Sequence, residues 1–458
     1  MAWSDSIARM RCAIALLCAV GFAGAGCVTP LIRNGALQAR PYHAVLERTT
    51  AHYGTPLETP VPSEVIGRDG VPDLLRELLA EEWGEQAVAD YQDALVSLGL
   101  WPADRDLVEE YVAVSREEVA GLYAPSRRTL YVVADQSVPF SLRLLSALSG
   151  RDVFWEMTLA HELVHALQHQ SHPRLMTPSL WRAHDDASNA ISAALEGHAL
   201  RYGFEALDVP RLPSPEEVRD ESGDPDRDEE SALGRAPALL RLTLLFPYVQ
   251  GYRLSYWEGH ELLDQPPASS EQVLHPERRH EPFLAIDLQP LHARLPGGCR
   301  MLAENSLGEL GLYVLFQDLA GDGVSPDAWQ GWNGDRYLAA RCPDGRAFAW
   351  VTAWDSEDDA DEFEAAYRKI AARVQERAQL TSPPTVKRSG REVHVLAGGL
   401  AVLAAELADG PRRRPVATLE ALLAHFDASP TATSASLHEH SRRVGILAPV
   451  SIQGGDQR

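Results

Sequence analysis

The chain has 458 residues and is 45% hydrophobic, enough apolar content for a sizeable core and too much for a disordered chain. Its 65 acidic and 42 basic side chains give a net charge of −23, which argues against a nucleic-acid partner, since that needs a basic face. Five cysteines are too few for a disulfide scaffold of this length.

Arg9 and Arg11 precede an uncharged apolar run over residues 12–26, too short to span a bilayer and of the right length for the core of a signal peptide. The run closes on Gly24, Ala25 and Gly26 before Cys27. It resembles the lipobox of bacterial lipoproteins, with Gly24 where Leu is usual. The resemblance implies cleavage after residue 26, acylation of Cys27 and a protein anchored by lipid to a membrane of the bacterial cell envelope. Ala23-Gly24-Ala25 also satisfies the A-x-A rule for ordinary secretory cleavage, which would release a secreted protein. Either cut removes Cys12 and Cys18. Cys299 and Cys342 then remain in an oxidising compartment, as one disulfide or as two separate buried thiols.

Residues 28–70 carry scattered Pro and Gly with weak periodicity and read as a tether. Leu74, Leu75, Leu78, Leu79 and Trp83, then Ala87, Tyr91, Ala94, Leu95 and Leu98, fall at helical spacing and predict scaffold helices. Residues 121–125 and 129–133 predict a hairpin, and helices are expected over 153–169 and 183–206. Residues 213–230, with nine acids and two arginines, read as a solvated loop. Further on, 336–341 and 347–352 flank a Pro and Gly turn and predict a second hairpin. Ser356 caps a helix to about residue 375 with acids in its first turn, and 393–397 returns as a strand. Gly331-Trp332-Asn333-Gly334-Asp335-Arg336 combines turn chemistry with a charge pair and is expected to act as a structural clamp. The expected organisation is a signal peptide over 1–26, a tether over 27–70 and a main domain over 71–329. An accessory ββαβ unit over 330–400 and a C-terminal segment with a flexible tail over 401–458 follow.

The chemistry concentrates in His161-Glu162-Leu163-Val164-His165. Residues i and i+4 project from one helical face, so both imidazoles can reach one metal ion while Glu162 points at the water beside it. Phe154, Trp155, Leu159, Ala160, Leu163, Val164 and Leu167 make this a buried helix, in which unpaired His and Glu would be costly. Zinc requires a third protein ligand. The metzincin continuation fails, because Gln168 and Ser171 stand where Gly and His are needed. His169 and His172 are expected on the surface. Glu196 is the strongest third ligand, with Asp185 and Asp186 as rivals. Ser188, Ser192, Ala199 and Gly203 share its face, and with Gly197 they suit a close helix contact.

This pattern resembles the gluzincin branch of zinc metallopeptidases. The string through Gln168, with Ala194-Leu195-Glu196-Gly197, is similar to a group of zincin-like bacterial envelope proteins. Phe246-Pro247-Tyr248 with Gly251, the stretch Ser270-Glu271-Gln272-Val273-Leu274-His275-Pro276-Glu277, and the motif from Gly331 to Arg336 extend the likeness over residues 71–375. It implies an α+β zincin-like metallopeptidase domain with an active-site helix, an edge strand over 129–133 and a downstream Glu helix, followed by the hairpin-plus-helix unit. It further implies one zinc ion per chain on His161, His165 and Glu196, and hydrolysis of a peptide or protein substrate by zinc-activated water with Glu162 as base. Gluzincins often add a Tyr or His at the oxyanion, for which Tyr252 and His275 are the candidates. That group usually carries Asp two residues after the ligand Glu, where this chain has His198. A non-catalytic binding or assembly module of the same fold, and an amidase acting on cell-wall material, are the alternatives.

Overall fold

The computed structural model describes residues 28–136, 138, 140–176, 184–221 and 231–427. The signal segment with Cys27, residues 222–230 of the acidic insertion, and the tail beyond 427 lie outside the described residues. The architecture is α+β.

Residues 28–70 are not a tether. Strands β1 (Ile32–Arg33) and β2 (Ala36–Leu37) form a small ribbon, and a helix follows over Ala39–Tyr53. That helix buries Val45 and Thr49, four residues apart, while Arg48 donates to the Ala206 carbonyl at 2.9 Å. Tyr42, Leu46 and Tyr53 pack half-buried beside them, so few positions are fully buried and the sequence period is faint even though the element is docked. Strand β3 (Ser63–Ile66) then enters a sheet.

That sheet contains β4 (Gly121–Ala124) and β5 (Thr129–Val133) in the order β3-β5-β4. The expected hairpin forms, with Leu122 opposite Tyr131. The 129–133 segment is nevertheless not an edge: β5 pairs in parallel with β3 on one side and antiparallel with β4 on the other. Its five residues are all buried, as a central strand between two partners should be. The outer strands of this sheet are β3 and β4.

Toward the C-terminus, β6 (Phe283–Asp287) precedes β7 (Arg300–Asn305), β8 (Trp332–Cys342), β9 (Gly345–Trp354), β10 (Thr385–Ser389) and β11 (Glu392–Ala397). The last five build one antiparallel sheet in the order β10-β11-β9-β8-β7. β12 (Arg412–Val416) pairs with β6. The helix Glu357–Ala378 begins as expected, with Ser356 Oγ accepting the Asp359 N–H at 3.1 Å and acids in its first turn. It covers the sheet by stacking Phe363 on Trp354, ring centres 4.8 Å apart.

The sheet takes its strand β7 from before residue 330, and the largest buried cluster includes Leu75, Leu195, Trp350 and Tyr367 together. Cys299 and Cys342 are joined in a disulfide. The 331–336 motif is a bulged strand start rather than a turn, because register shifts between Trp332 and Gly334. A side chain on Gly334, at φ +144, would strike the Leu284 carbonyl oxygen. Asp335 is the clamp: its carboxylate accepts from the Leu307 and Gly308 N–H groups, each at 2.9 Å, and from the indoles of Trp332 and Trp350. The described part of the acidic insertion is not loop throughout, since Pro215–Glu221 is helical.

Candidate metal centre

The helix Val153–Ser171 is buried on nearly every side and carries His161 and His165 one turn apart on one face, ring centres 4.7 Å apart. A second buried helix, Asp185–Ala206, crosses it. Gly203 faces the helix of His161, and a Cβ there would lie in ordinary contact, 3.9 Å from His161 Cβ. Glu196 is thereby brought to the imidazoles. Its Oε2 lies 3.1 Å from His161 Nε2, its Oε1 lies 3.0 Å from His165 Nε2, and the two Nε2 atoms are 3.0 Å apart. One donor atom from each residue falls within 4.8 Å of the others. The three side chains are 3, 6 and 1% exposed.

Asp185 and Asp186 are occupied elsewhere. Asp185 accepts from Tyr91 at 2.9 Å and from Asn305 at 2.7 Å, while Asp186 accepts the Ser270 N–H at 2.8 Å. Glu196 is the carboxylate the fold selects.

Gln168 supports the centre from behind. Its Oε1 can only accept, so His165 Nδ1, 2.8 Å away, carries the ring proton. The Gln168 amide donates to the Leu195 carbonyl at 2.9 Å and lies 3.2 Å from His198 Nδ1. His198 reaches the centre only through this amide; burial lowers its pKa to about 3 and keeps it neutral, as an acceptor. With its proton on Nδ1, a neutral His165 turns a bare Nε2 toward another imidazole nitrogen and a carboxylate. Acceptors so close repel one another unless a proton or a cation lies among them. Two imidazoles and one carboxylate are a donor set that fits zinc.

The electrostatics agree. Burial alone would lower the His165 pKa, but the Glu196 carboxylate outweighs it and pushes it up to about 9. Burial would raise Glu196, yet His165 and His161 hold it down at about 2. The pocket thus favours one positive charge between these groups.

Glu162 sits on β4. A Cβ placed on Gly121 would fall 2.9 Å from Glu162 Cγ and 3.0 Å from its Oε1, so the glycine leaves the space that the carboxylate fills. Two residues on, Tyr123 bonds His169 Nδ1 at 2.9 Å, which makes His169 a half-buried partner of β4 rather than a surface residue.

Neither predicted oxyanion donor reaches the centre. The Tyr252 hydroxyl donates to the Pro213 carbonyl at 2.8 Å, and His275 Nε2 lies 3.0 Å from Glu309 Oε1. The tyrosine at the site is Tyr248, one turn before Tyr252 on the helix Ala238–Glu258. Its ring stacks beside His161 with centres 6.5 Å apart, and its hydroxyl bonds Glu196. Burial, reinforced by the charges of Glu196 and Glu162, raises its pKa well above the ordinary value. Close helix packing puts it there: a Cβ on Gly197 would lie 1.9 Å from the Gly251 carbonyl oxygen, and one on Gly251 2.1 Å from that of Ala193. The quoted segment Phe246-Pro247-Tyr248 with Gly251 held the signal for Tyr248, but both tyrosines fit an aromatic helical run, and rotation of the helix decides between them.

A family model described as a domain of unknown function (DUF8575) matches residues 295–407. That stretch spans the five-stranded sheet and its covering helix and includes none of the candidate metal ligands. No curated protein and no solved structure matches the chain.

Proposed function

We propose that this protein is a zinc-dependent peptide hydrolase of zincin type, held at the bacterial envelope by lipid on Cys27. One observation carries the reading: His161, His165 and Glu196, drawn from two helices, converge their donor atoms within 4.8 Å in a buried site. Zinc bound there would polarise a substrate carbonyl and acidify water. Glu162, seated against Gly121, takes the proton of the attacking water and returns it to the leaving amine. Tyr248 keeps its proton because its pKa is raised, and so serves as the hydrogen-bond donor for the developing oxyanion. Gln168 fixes the His165 tautomer that presents Nε2 to the metal. Among the described residues β4 is paired on one side only. An extended peptide added along its outer edge would run beside the helix that carries Glu162.

Metal analysis of the purified protein tests the reading. About one zinc per chain is expected, lost in His161→Ala and retained in Glu162→Gln, with peptide cleavage abolished in both. A folded, metal-free wild type would overturn it. Zinc without turnover on peptides or cell-wall fragments would leave a non-catalytic module.

A further inference from the structure

In a chain of net charge −23, residues 28–46, with Arg33 and Arg40, and residues 136–151, with Arg143 and Arg151, are among the stretches that contain no acid. The fold sets them side by side. Thr29 bridges to Arg151, and its N–H donates to the Gly150 carbonyl at 3.3 Å. Ile32, Leu37 and Tyr42 of the first stretch and Leu142 of the second pack on one buried cluster around Leu31, Phe154 and Trp155. Of the acids that flank them, Glu47 and Asp135 are exposed, whereas Asp152 accepts the Leu31 N–H at 3.0 Å, and Glu156 pairs with Arg48 and Arg151. Arg33, Arg40 and Arg143 are exposed and form no ion pair among the described residues.

Apolar side chains stand out in the same place. Leu144 and Leu148, one turn apart on the helix Phe140–Ser149, are 43 and 37% exposed, and Val28 is 36% exposed. These are three of the six large apolar side chains exposed among the described residues. Leu148 lies two residues before Gly150, the contact of Thr29, and Cys27 immediately precedes Val28.

We infer that this surface lies against an anionic phospholipid bilayer, with Val28, Leu144 and Leu148 entering the interface and Arg33, Arg40 and Arg143 meeting lipid phosphates. Exposed leucines beside unpaired arginines are what an interfacial helix needs. A symmetric dimer through this surface would instead set arginine against arginine. The inference rests on the anchoring at Cys27 proposed above, and it adds the orientation in which the anchored body sits.

The test places full-length protein in phosphatidylethanolamine and phosphatidylglycerol vesicles, with a fluorescent amino acid replacing Leu144, Leu148 or, as a control, Val402, which is 68% exposed. Lipid carrying a quencher near the headgroup is expected to quench the probes at 144 and 148 about twofold more than the probe at 402. Equal quenching at all three sites, with the protein still co-sedimenting, overturns the inference and leaves the anchor standing. Loss of co-sedimentation removes the anchor, and the inference with it. Probes shielded from aqueous iodide yet untouched by lipid quencher would mean that protein covers the surface, which also overturns it. Exchange of phosphatidylglycerol for phosphatidylcholine is expected to reduce quenching at 144 and 148 about twofold, and no change would remove the arginines from the contact.

Discussion

A single methyl group is enough to test how Glu162, the proposed general base, is held. On residue 121 it would stand 2.8 Å from Thr158 Cγ2 and 2.9 Å from Glu162 Cγ, so one of them must move. Gly121→Ala is therefore expected to keep its zinc and lose about 10- to 100-fold in kcat, since a base displaced by a fraction of an ångström no longer meets the water proton well. Zinc content measured alongside peptide turnover checks this; a fully active variant would free Glu162 of the assigned role. Tyr248 gives a second test. Tyr248→Phe removes the only hydroxyl that the helix turns toward Glu196 among its tyrosines at 248 and 252, and a loss of about 100-fold in kcat is expected. Tyr252→Phe removes a bond to the Pro213 carbonyl and is expected to cost stability, read by urea unfolding, with kcat unchanged. The motif from His161 to His165 was legible because two candidate ligands and the proposed base lie within five residues of one helix. Tyr248 was not, because a one-turn choice on another helix depends on how Gly197 and Gly251 let the two backbones mesh.

The helix Asp185–Ala206 shows what sequence carries at the scale of an element and what it hides. Its small residues announce close packing, and the close contact is observed at Gly197, against Gly251. Its anchorage at the other end could not be read, because the partners come from distant segments: Tyr91, Ser270, Asn305 and Gly308. The helix Ala39–Tyr53 was missed for the complementary reason, since only Val45 and Thr49 are fully buried and Tyr42, Leu46 and Tyr53 pack half-buried beside them, with Arg48 bonded to the Ala206 carbonyl. At the start of the Glu196 helix, burial first, then the charges of Asp335 and Glu271, raise the Asp186 pKa to about 8 despite the Ser270 hydrogen bonds. An unfolded aspartate titrates near about 3.9. The folded state therefore binds the extra proton between these values, and stability is greatest below the unfolded pKa and falls as pH rises toward 8. Asp185, raised to about 7, acts in the same direction. Asp186→Asn cannot ionise, so its urea midpoint is expected to fall less than that of the wild type between about pH 5 and pH 9. Parallel pH profiles for the two proteins would contradict a neutral Asp186.

At the scale of the whole molecule the local elements were more legible than the way they join. The hairpin of β8 and β9, the Ser356 cap and strand β11 follow from turn chemistry and alternation inside one stretch of chain. A boundary at residue 330 followed from the hairpin-plus-helix pattern beyond it, yet Trp332, Tyr337, Trp350, Phe363 and Tyr367 lie in one buried cluster with Leu75, Leu95 and Leu195. Charge crosses the same line: Asp93 pairs with Arg341 and Arg346. Aromatic core positions contribute about 3–5 kcal/mol each when truncated to alanine, which for several residues exceeds the total stability of a typical domain. A chain ending at residue 329 is accordingly expected not to fold and to bind no stoichiometric zinc, although every candidate ligand is present. Reduction of the Cys299–Cys342 disulfide is a milder cut across the same boundary. It releases a loop with sequence separation 43, worth about 4 kcal/mol in chain entropy, and leaves the aromatic contacts in place. Reduced full-length protein is thus expected to show a lowered urea midpoint with zinc still bound. The shortened chain should show no cooperative transition by circular dichroism. A cooperative transition in that chain, with bound zinc, would establish that the metal-bearing half folds alone and that the shared core is only a contact between two domains.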